Sequence, residues 1–311
     1  KYVISSSPHL RDNVSTTSIM RDVCIALLPA AVAGVLFFGY RSAIILALSV
    51  AAAVLSEWLY CKAAHCRNTI GDFSAVVTGM LLAMNLPSTV PYWMPVIGSV
   101  IAILLCKMIF GGIGQNFINP ALAARAILAL SWASLMNKFA APAFGNLAGV
   151  DAVASATPIG AAAGTYTLGQ LFLGNIPGTI GETCKLALLI GAAYLFYKKV
   201  ITWHIPAAFI GTCAVCYLLK TGFDVNATLA QLLSGGLILG AFFMATDYSS
   251  SPATAKGKIV FGIGCGLLLF IFRACKKTPA EWCSYAILLM NVCSPLIERV
   301  TGNKSFGEVK K

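Results

Sequence analysis

The runs DVCIALLPAAVAGVLFFG (Asp22–Gly39) and SAIILALSVAAAVLSEWLY (Ser42–Tyr60) stand almost back to back, separated only by Tyr40 and Arg41. Each holds one charged residue, Asp22 in the first and Glu57 in the second. A helix needs roughly 20 mostly apolar residues to cross a bilayer, because it rises about 1.5 Å per residue through about 30 Å of hydrocarbon. Both runs meet that need, and the short link makes them an antiparallel pair. Further apolar stretches follow at Phe73–Leu86, Tyr92–Ile109, Pro120–Met136, Glu182–Tyr197, Ile205–Leu219, Leu232–Thr246, Lys258–Phe272 and Glu281–Val300. The sequence therefore predicts an all-α polytopic membrane protein of about ten transmembrane helices.

Composition agrees. Of 311 residues, 58% are hydrophobic and 11% charged, with a mean hydropathy of +0.82. Soluble domains carry about 25% charged residues. An ordinary cytosolic enzyme, a disordered chain and a nucleic-acid binder are excluded, and membrane lipid is the expected surrounding. The net charge of +11 is first a topology signal. Lys1–Met20 is polar and reads as no cleavable signal, and the run after it is long enough to remain a span. Most of the eleven cysteines sit in or beside apolar runs, where Cys acts as a small hydrophobe. Cys213-Ala-Val-Cys216 has metal-like spacing but no second pair to complete a site, and no metal is expected.

Five spans precede the loop Asn137–Gly181 and five follow it. The expected units are 1–136, a five-span repeat; 137–181, an outer loop; and 182–311, a second repeat with a short tail. An odd number of spans per repeat gives the halves opposite directions, an inverted pair. Spans three and eight are short and end in polar stretches, Asn85-Leu86-Pro87 and Thr246-Asp247-Tyr248, which points to a site at the repeat interface. With the N-terminus inside, fourteen Lys and Arg lie on the inner side and seven on the outer, Arg125 falling within a span. That bias puts both termini in the cytoplasm and Asn137–Gly181 outside.

Charges within the spans are costly and are functional candidates. They are Glu57, Asp72, Lys107, Arg125 and Asp247. One reading pairs Arg125 with Asp72 or Asp247. The other gives Asp72, with Glu57, a part in an ion path, or makes Asp72 or Asp247 an anchor for a ligand. Glu182, Lys185 and Glu281, at span ends, are expected to be solvated or to snorkel. Gly111–Gly114 is neither a Walker loop nor a Rossmann turn. Asn116 and Asn119 follow it, ahead of Pro120, and their amides either cap the fifth helix or contact a ligand. The outer loop contains Asp151, Ala154, Ser155, Ala156 and Thr157 in a small-residue, nearly uncharged setting. Thr157 has no His or Lys neighbour to activate it, so it suits modification by another enzyme, or plain loop packing, better than catalysis.

The segment Asp151-x-x-Ala154-Ser155-Ala156-Thr157 resembles the flavinylation signal Asp-x-x-Ser/Thr-Gly-Ala-Thr of membrane flavin subunits. It differs at Ala154 and Ser155, both small-for-small. Three more blocks, in order, are Asp72-Phe-Ser-Ala-Val-Val-Thr-Gly79 with Asn85-Leu-Pro87, Phe110–Arg125, and Phe243-Met-Ala-Thr-Asp247 with Lys256-Gly-Lys258. Together they resemble the D-type subunit of the Rnf ion-translocating oxidoreductase complex and its paralogue, the B-type subunit of the sodium-pumping NADH:quinone reductase. The chain lacks a long N-terminal extension of the second type, which favours the first.

That resemblance implies a flavoprotein subunit of the bacterial cytoplasmic membrane, with FMN joined to Thr157 through a phosphodiester on the extracytoplasmic side. Asp151, Ser155 and Ala156 would frame the acceptor. Electrons would pass within an ion-pumping ferredoxin:NAD oxidoreductase, this chain taking them from a second covalent FMN subunit outside, with iron–sulfur membrane subunits as further partners. The chain would be an electron carrier and not a complete enzyme. A riboflavin or other second flavin, held without a covalent bond, would touch Asn116 and Asn119, with Arg125 and Asp247 close by. The rival reading is a channel or secondary transporter with an inverted-repeat fold and no flavin.

Overall fold

The computed structural model describes residues 14–66, 68–142, 144, 154–155, 166–275 and 282–302. Thr157, Asp151 and Ala156 lie outside them, and Ser155 is described through its backbone alone. Helix α1 (Thr16–Phe38) starts from a capping box in which Ser15 and Ser18 satisfy each other's backbone N–H groups, and it ends at Gly39. Helix α2 (Tyr40–Ala63) follows at once. Then come α3 (Ser74–Met84), α4 (Trp93–Ile103), α5 (Pro120–Ser131), the short α6 (Ala133–Met136) and α7 (Leu168–Leu173), α8 (Lys185–Tyr197), α9 (His204–Lys220), α10 (Val225–Leu233), α11 (Leu237–Leu239), α12 (Ala255–Cys275) and α13 (Trp282–Thr301). Widened π turns extend α4 over Leu104–Met108 and α11 over Gly240–Met244.

Three of these helices, α1, α2 and α12, are long and apolar enough to cross a membrane alone, and α10 with the α11 segment makes a fourth candidate bent by 67°. The other apolar helices are shorter than a full crossing, apart from the 20-residue α13. Among the described residues three helices, or four with the bent pair, meet the length and composition of a full crossing, against about ten expected. The third expected span stops at Met84 because Pro87 has no N–H and restricts the residue before it. The freed carbonyls are not left bare. Gly181 N–H donates to Met84 O (2.8 Å) and Ile180 N–H to Leu86 O (3.1 Å). The eighth breaks at Ser234-Gly235-Gly236, with Gly235 at φ +66°. Irregular backbone at membrane depth is tolerated only where it is satisfied in this way.

The core joins α1, α3, α8, α11 and α12 through Ala26, Leu27, Leu82, Leu188, Leu237 and Phe261, all at most 1% exposed. α1 crosses α8 so closely that a Cβ on Gly191 would meet Ala26 O at 2.0 Å. Packing order repeats along the chain: α2 lies against α3 and α4, and α9 against α10 and α12. Leu28, Val32, Leu55, Leu59, Val260 and Leu267 remain exposed on α1, α2 and α12, as expected of faces that meet lipid rather than water. Among the described residues there are small departures from an all-helical chain, including an isolated antiparallel bridge between Pro87 and Thr179. β1 (Phe139–Ala140) pairs antiparallel with β2 (Ala154–Ser155), placing Phe139 opposite Ser155.

Candidate functional site

Two polar places stand out in this apolar frame. The first is a cavity of about 100 Å³ at the end of the bundle that holds the start of α1. Ser74, Lys107, Asn116, Asn119 and Asp247 line it, with apolar walls from Val23, Val77 and Ile201. Sequence-distant segments meet here because α3 and α5 begin, and the π turn after α11 finishes, at this level. Asn119 caps α5: its Oδ1 accepts from the N–H groups of Ala121 (3.1 Å) and Leu122 (3.3 Å), and Pro120 at the first helical position needs no partner. Its amide nitrogen donates to Met244 O at 3.3 Å, tying the two halves of the chain. Asn116 donates to Ile118 O (3.0 Å). Asp247, in the turn after the π segment, accepts from Ser249 (3.1 Å) and Ser250 (3.0 Å). Burial pushes its carboxyl above the ordinary carboxylate range, against the lowering pull of those hydrogen bonds.

Behind this cavity lies an ion pair. Lys107 Nζ donates to Glu57 Oε2 and to Ser74 Oγ, each at 2.6 Å. Ser74 Oγ in turn donates to Asp72 Oδ1 at 2.5 Å, and Thr69 donates to the other Glu57 oxygen. Lys107 is 3% exposed and Glu57 fully buried. Glu57 and Asp72 are thus brought into one network, with Lys107 as its hub.

Arg125 is elsewhere, which corrects the expected pairing with Asp72 or Asp247. It is 7% exposed and donates to Ser284 Oγ on α13. Its Nε has no hydrogen-bond partner, and it has no carboxylate partner among the described residues. It lines a second, small pocket with Asn137, Phe139, Ser284 and Tyr285. The reason is axial: Arg125 lies more than a helical turn beyond Asn119 along α5, towards the end that carries β1.

Glu182 and Lys185 also differ from expectation. They are 3% and 0% exposed, not solvated. Lys185 Nζ donates to Gly235 O at 2.8 Å, and Arg273 donates to Gln231 O and Ser234 O at 3.0 Å each. These cations satisfy the carbonyls freed by the break before α11. The Gly-Gly pair in the sequence permits the break but does not show its partners. All eleven cysteines are free thiols.

The model of the NQR2, RnfD, RnfE family matches residues 3–307. The chain is 49% identical to the D subunit of the Na(+)-translocating ferredoxin:NAD(+) oxidoreductase complex of Acetobacterium woodii, over 99% of this chain and 96% of the relative. It is 41% identical to the D subunit of the proton-translocating complex of Clostridium ljungdahlii, over 98% and 96%. It is 34% identical to the D subunit of an ion-translocating oxidoreductase complex of Vibrio cholerae, over 98% and 99%.

Proposed function

The chain belongs to the NQR2, RnfD, RnfE family, and on that premise we propose that it is the D-type, electron-transferring subunit of a membrane-bound, ion-translocating ferredoxin:NAD oxidoreductase. The observation that carries this is identity of 49% over almost the whole of both chains with a protein of that name. Other subunits of such a complex are its partners, among them an extracytoplasmic covalent FMN subunit and iron–sulfur membrane subunits. Its place is the bacterial cytoplasmic membrane, with both termini inside and the 137–181 loop outside. The repeated packing of α2 with α3 and α4, and of α9 with α10 and α12, supports two five-span halves of opposite direction.

Thr157 is the acceptor for FMN in this reading. FMN held there would supply the redox chemistry. The protein's part is position and electrostatics. Asp151, Ser155 and Ala156 belong, in this reading, to the motif that a transferase recognises.

A second, non-covalent flavin in the cavity of Asn116 and Asn119 is the further part of the reading. The amides and Asp247 offer donors and acceptors suited to a ring edge. The volume of about 100 Å³ falls below the roughly 300–1,000 Å³ of small-molecule sites. A flavin therefore does not fit the cavity as it stands, and no electron-transfer step is derived through it. Glu57, Lys107, Ser74 and Asp72 form a polar path beside the cavity in which an ion could be exchanged.

Denaturing gels test the main reading. The parent band should fluoresce under ultraviolet light, Thr157→Ala should be dark while still reaching the membrane, and Thr157→Ser should keep part of the signal. A fluorescent Thr157→Ala band overturns the assignment. A dark parent band, from cells that hold the transferase, favours a transporter without flavin.

A further inference from the structure

We propose that Cys61 and Cys66 are a reversible thiol–disulfide pair: a low-molecular-weight disulfide adds to the exposed Cys66, and the buried Cys61 displaces it to close a bridge across the end of α2. The proposal does not depend on the flavin reading.

The turn that ends α2 brings the two residues together. Ala64 caps the helix, and the next residue, His65, is left-handed at φ +51°. Cys66 N–H then donates back to Cys61 O at 3.0 Å. A bond from the second residue after the cap to the third before it is the six-to-one closure of a Schellman turn. Side chains at those two places pack on each other, and here both are cysteine. Disulfides join Cα atoms roughly 4.4–6.8 Å apart. Residues that share a backbone hydrogen bond, about 5.5 Å apart in a strand pair, meet that span.

Exposure sets the order of attack. Cys66 is exposed and Cys61 buried, so the outside reagent meets Cys66 first. The Cys66 thiolate attacks one sulfur of the small disulfide, forms a mixed disulfide and releases one small thiol. The Cys61 thiolate then attacks the Cys66 sulfur and releases the second. The two protein thiols lose two electrons and two protons, and the small disulfide gains them as two thiols. Little holds Cys61 back. Its Sγ lies 3.8 Å from Thr69 Oγ1, and because the Thr69 proton is given to Glu57, Cys61 S–H is the donor there, a weak one. Closing the bridge removes that donor from the residue that holds Glu57 against Lys107. In the orientation proposed above this end faces the cytoplasm, where the bridges that do form are transient or redox-sensing.

The test treats the full chain, purified in detergent, with glutathione disulfide. Remaining thiols are alkylated in denaturant, and tryptic peptides are mapped by mass. Trypsin cuts after Lys62, between the two cysteines, so a bridge holds two peptides together until a dithiol parts them. The parent should give that linked pair. In Cys61→Ser nothing displaces the adduct, so glutathione should remain on Cys66 at about tenfold the parent's level, since a neighbouring thiol acts at high effective concentration. Cys66→Ser should leave Cys61 alkylated and free of glutathione, and it carries the test if Cys61→Ser does not fold. Exposed Cys275 serves as the unpaired control and should hold glutathione without a bridge. Equal glutathione on Cys66 in the parent and in Cys61→Ser overturns the pair. So does a parent in which both cysteines stay alkylated, or one in which Cys66 bridges to Cys66 of a second chain. Glutathione on Cys61 in Cys66→Ser overturns the order of attack.

Discussion

Lys107 and Arg125 are both buried cations, 3% and 7% exposed, yet their surroundings are opposite. Lys107 sits against a carboxylate at 2.6 Å and a serine hydroxyl that itself leans on Asp72. Arg125 has the hydroxyl of Ser284 and, among the described residues, no carboxylate. The first is a closed network whose charges answer one another within the fold. The second, among the described residues, answers only a neutral hydroxyl. The difference sets the two ends of one bundle apart, and it yields tests of decreasing size.

The largest effect is expected at Glu57. Glu57→Ala strands a buried Lys107, and breaking such a pair costs about 3–5 kcal/mol. Thermal unfolding in detergent should show a large fall in Tm or loss of folded protein. Glu57→Leu combined with Lys107→Met should recover most of it. No recovery in the double variant would mean that the pair does more than neutralise itself.

Arg125 should behave in the opposite direction. In the flavin-free Thr157→Ala chain, Arg125→Met removes an unpartnered buried cation and should raise stability by about 1–3 kcal/mol. The same unfolding measurement applies. A loss as large as that of Glu57→Ala would erase the contrast, because it would show Arg125 to be paired within the protein.

A smaller effect sharpens the Lys107 end. Asn119→Ala removes the cap of α5 and the bond to Met244 O, an expected loss of about 1–2 kcal/mol. Asn119→Asp keeps the cap but not the amide donor, and should fall between. Equal losses in both variants would assign the whole effect to the Met244 contact.

Much of this frame was legible in the chain. The runs that became α1 and α2 are long and apolar, so length alone places them, while the fifteen-residue run Lys258–Phe272 lengthened into the 21-residue α12. Asn85-Leu86-Pro87 marked the first break through local backbone chemistry, whereas the second was expected at Thr246-Asp247-Tyr248 and falls instead at Ser234-Gly235-Gly236. Asn119 before Pro120 could be read as a cap. What stayed hidden depends on packing between distant segments. Glu57 and Lys107 are 50 residues apart, and no periodicity joins them. Lys185 looked like a span-end cation and is instead fully buried against the break before α11. The β1–β2 pair is two residues long, below what an alternation pattern can signal. Arg125 looked bound for Asp72 or Asp247 because charge sign was visible and depth along α5 was not.

Asp247 gives the finest test of where Arg125 lies. Had Arg125 reached it, the nearby positive charge would hold its carboxyl below the ordinary range. Burial instead pushes it up, and the opposing pulls come from Ser250, Ser249 and Asn116, with no cation among them. A raised carboxyl means that the folded chain holds a proton the unfolded chain has released. Stability therefore falls as pH rises from about 3.8 through the raised value, and levels off above it. Asp247→Asn cannot ionise, so this part of the fall should vanish and the variant should gain stability at neutral pH relative to the parent. Arg125→Gln should leave the slope as it was, since the two groups do not face one another. Unfolding by denaturant at a series of pH values from acid to neutral reads both. If Arg125→Gln steepens the slope as strongly as Asp247→Asn flattens it, the two charges are coupled after all. The separation between the Lys107 end of the bundle and the Arg125 end would then fail.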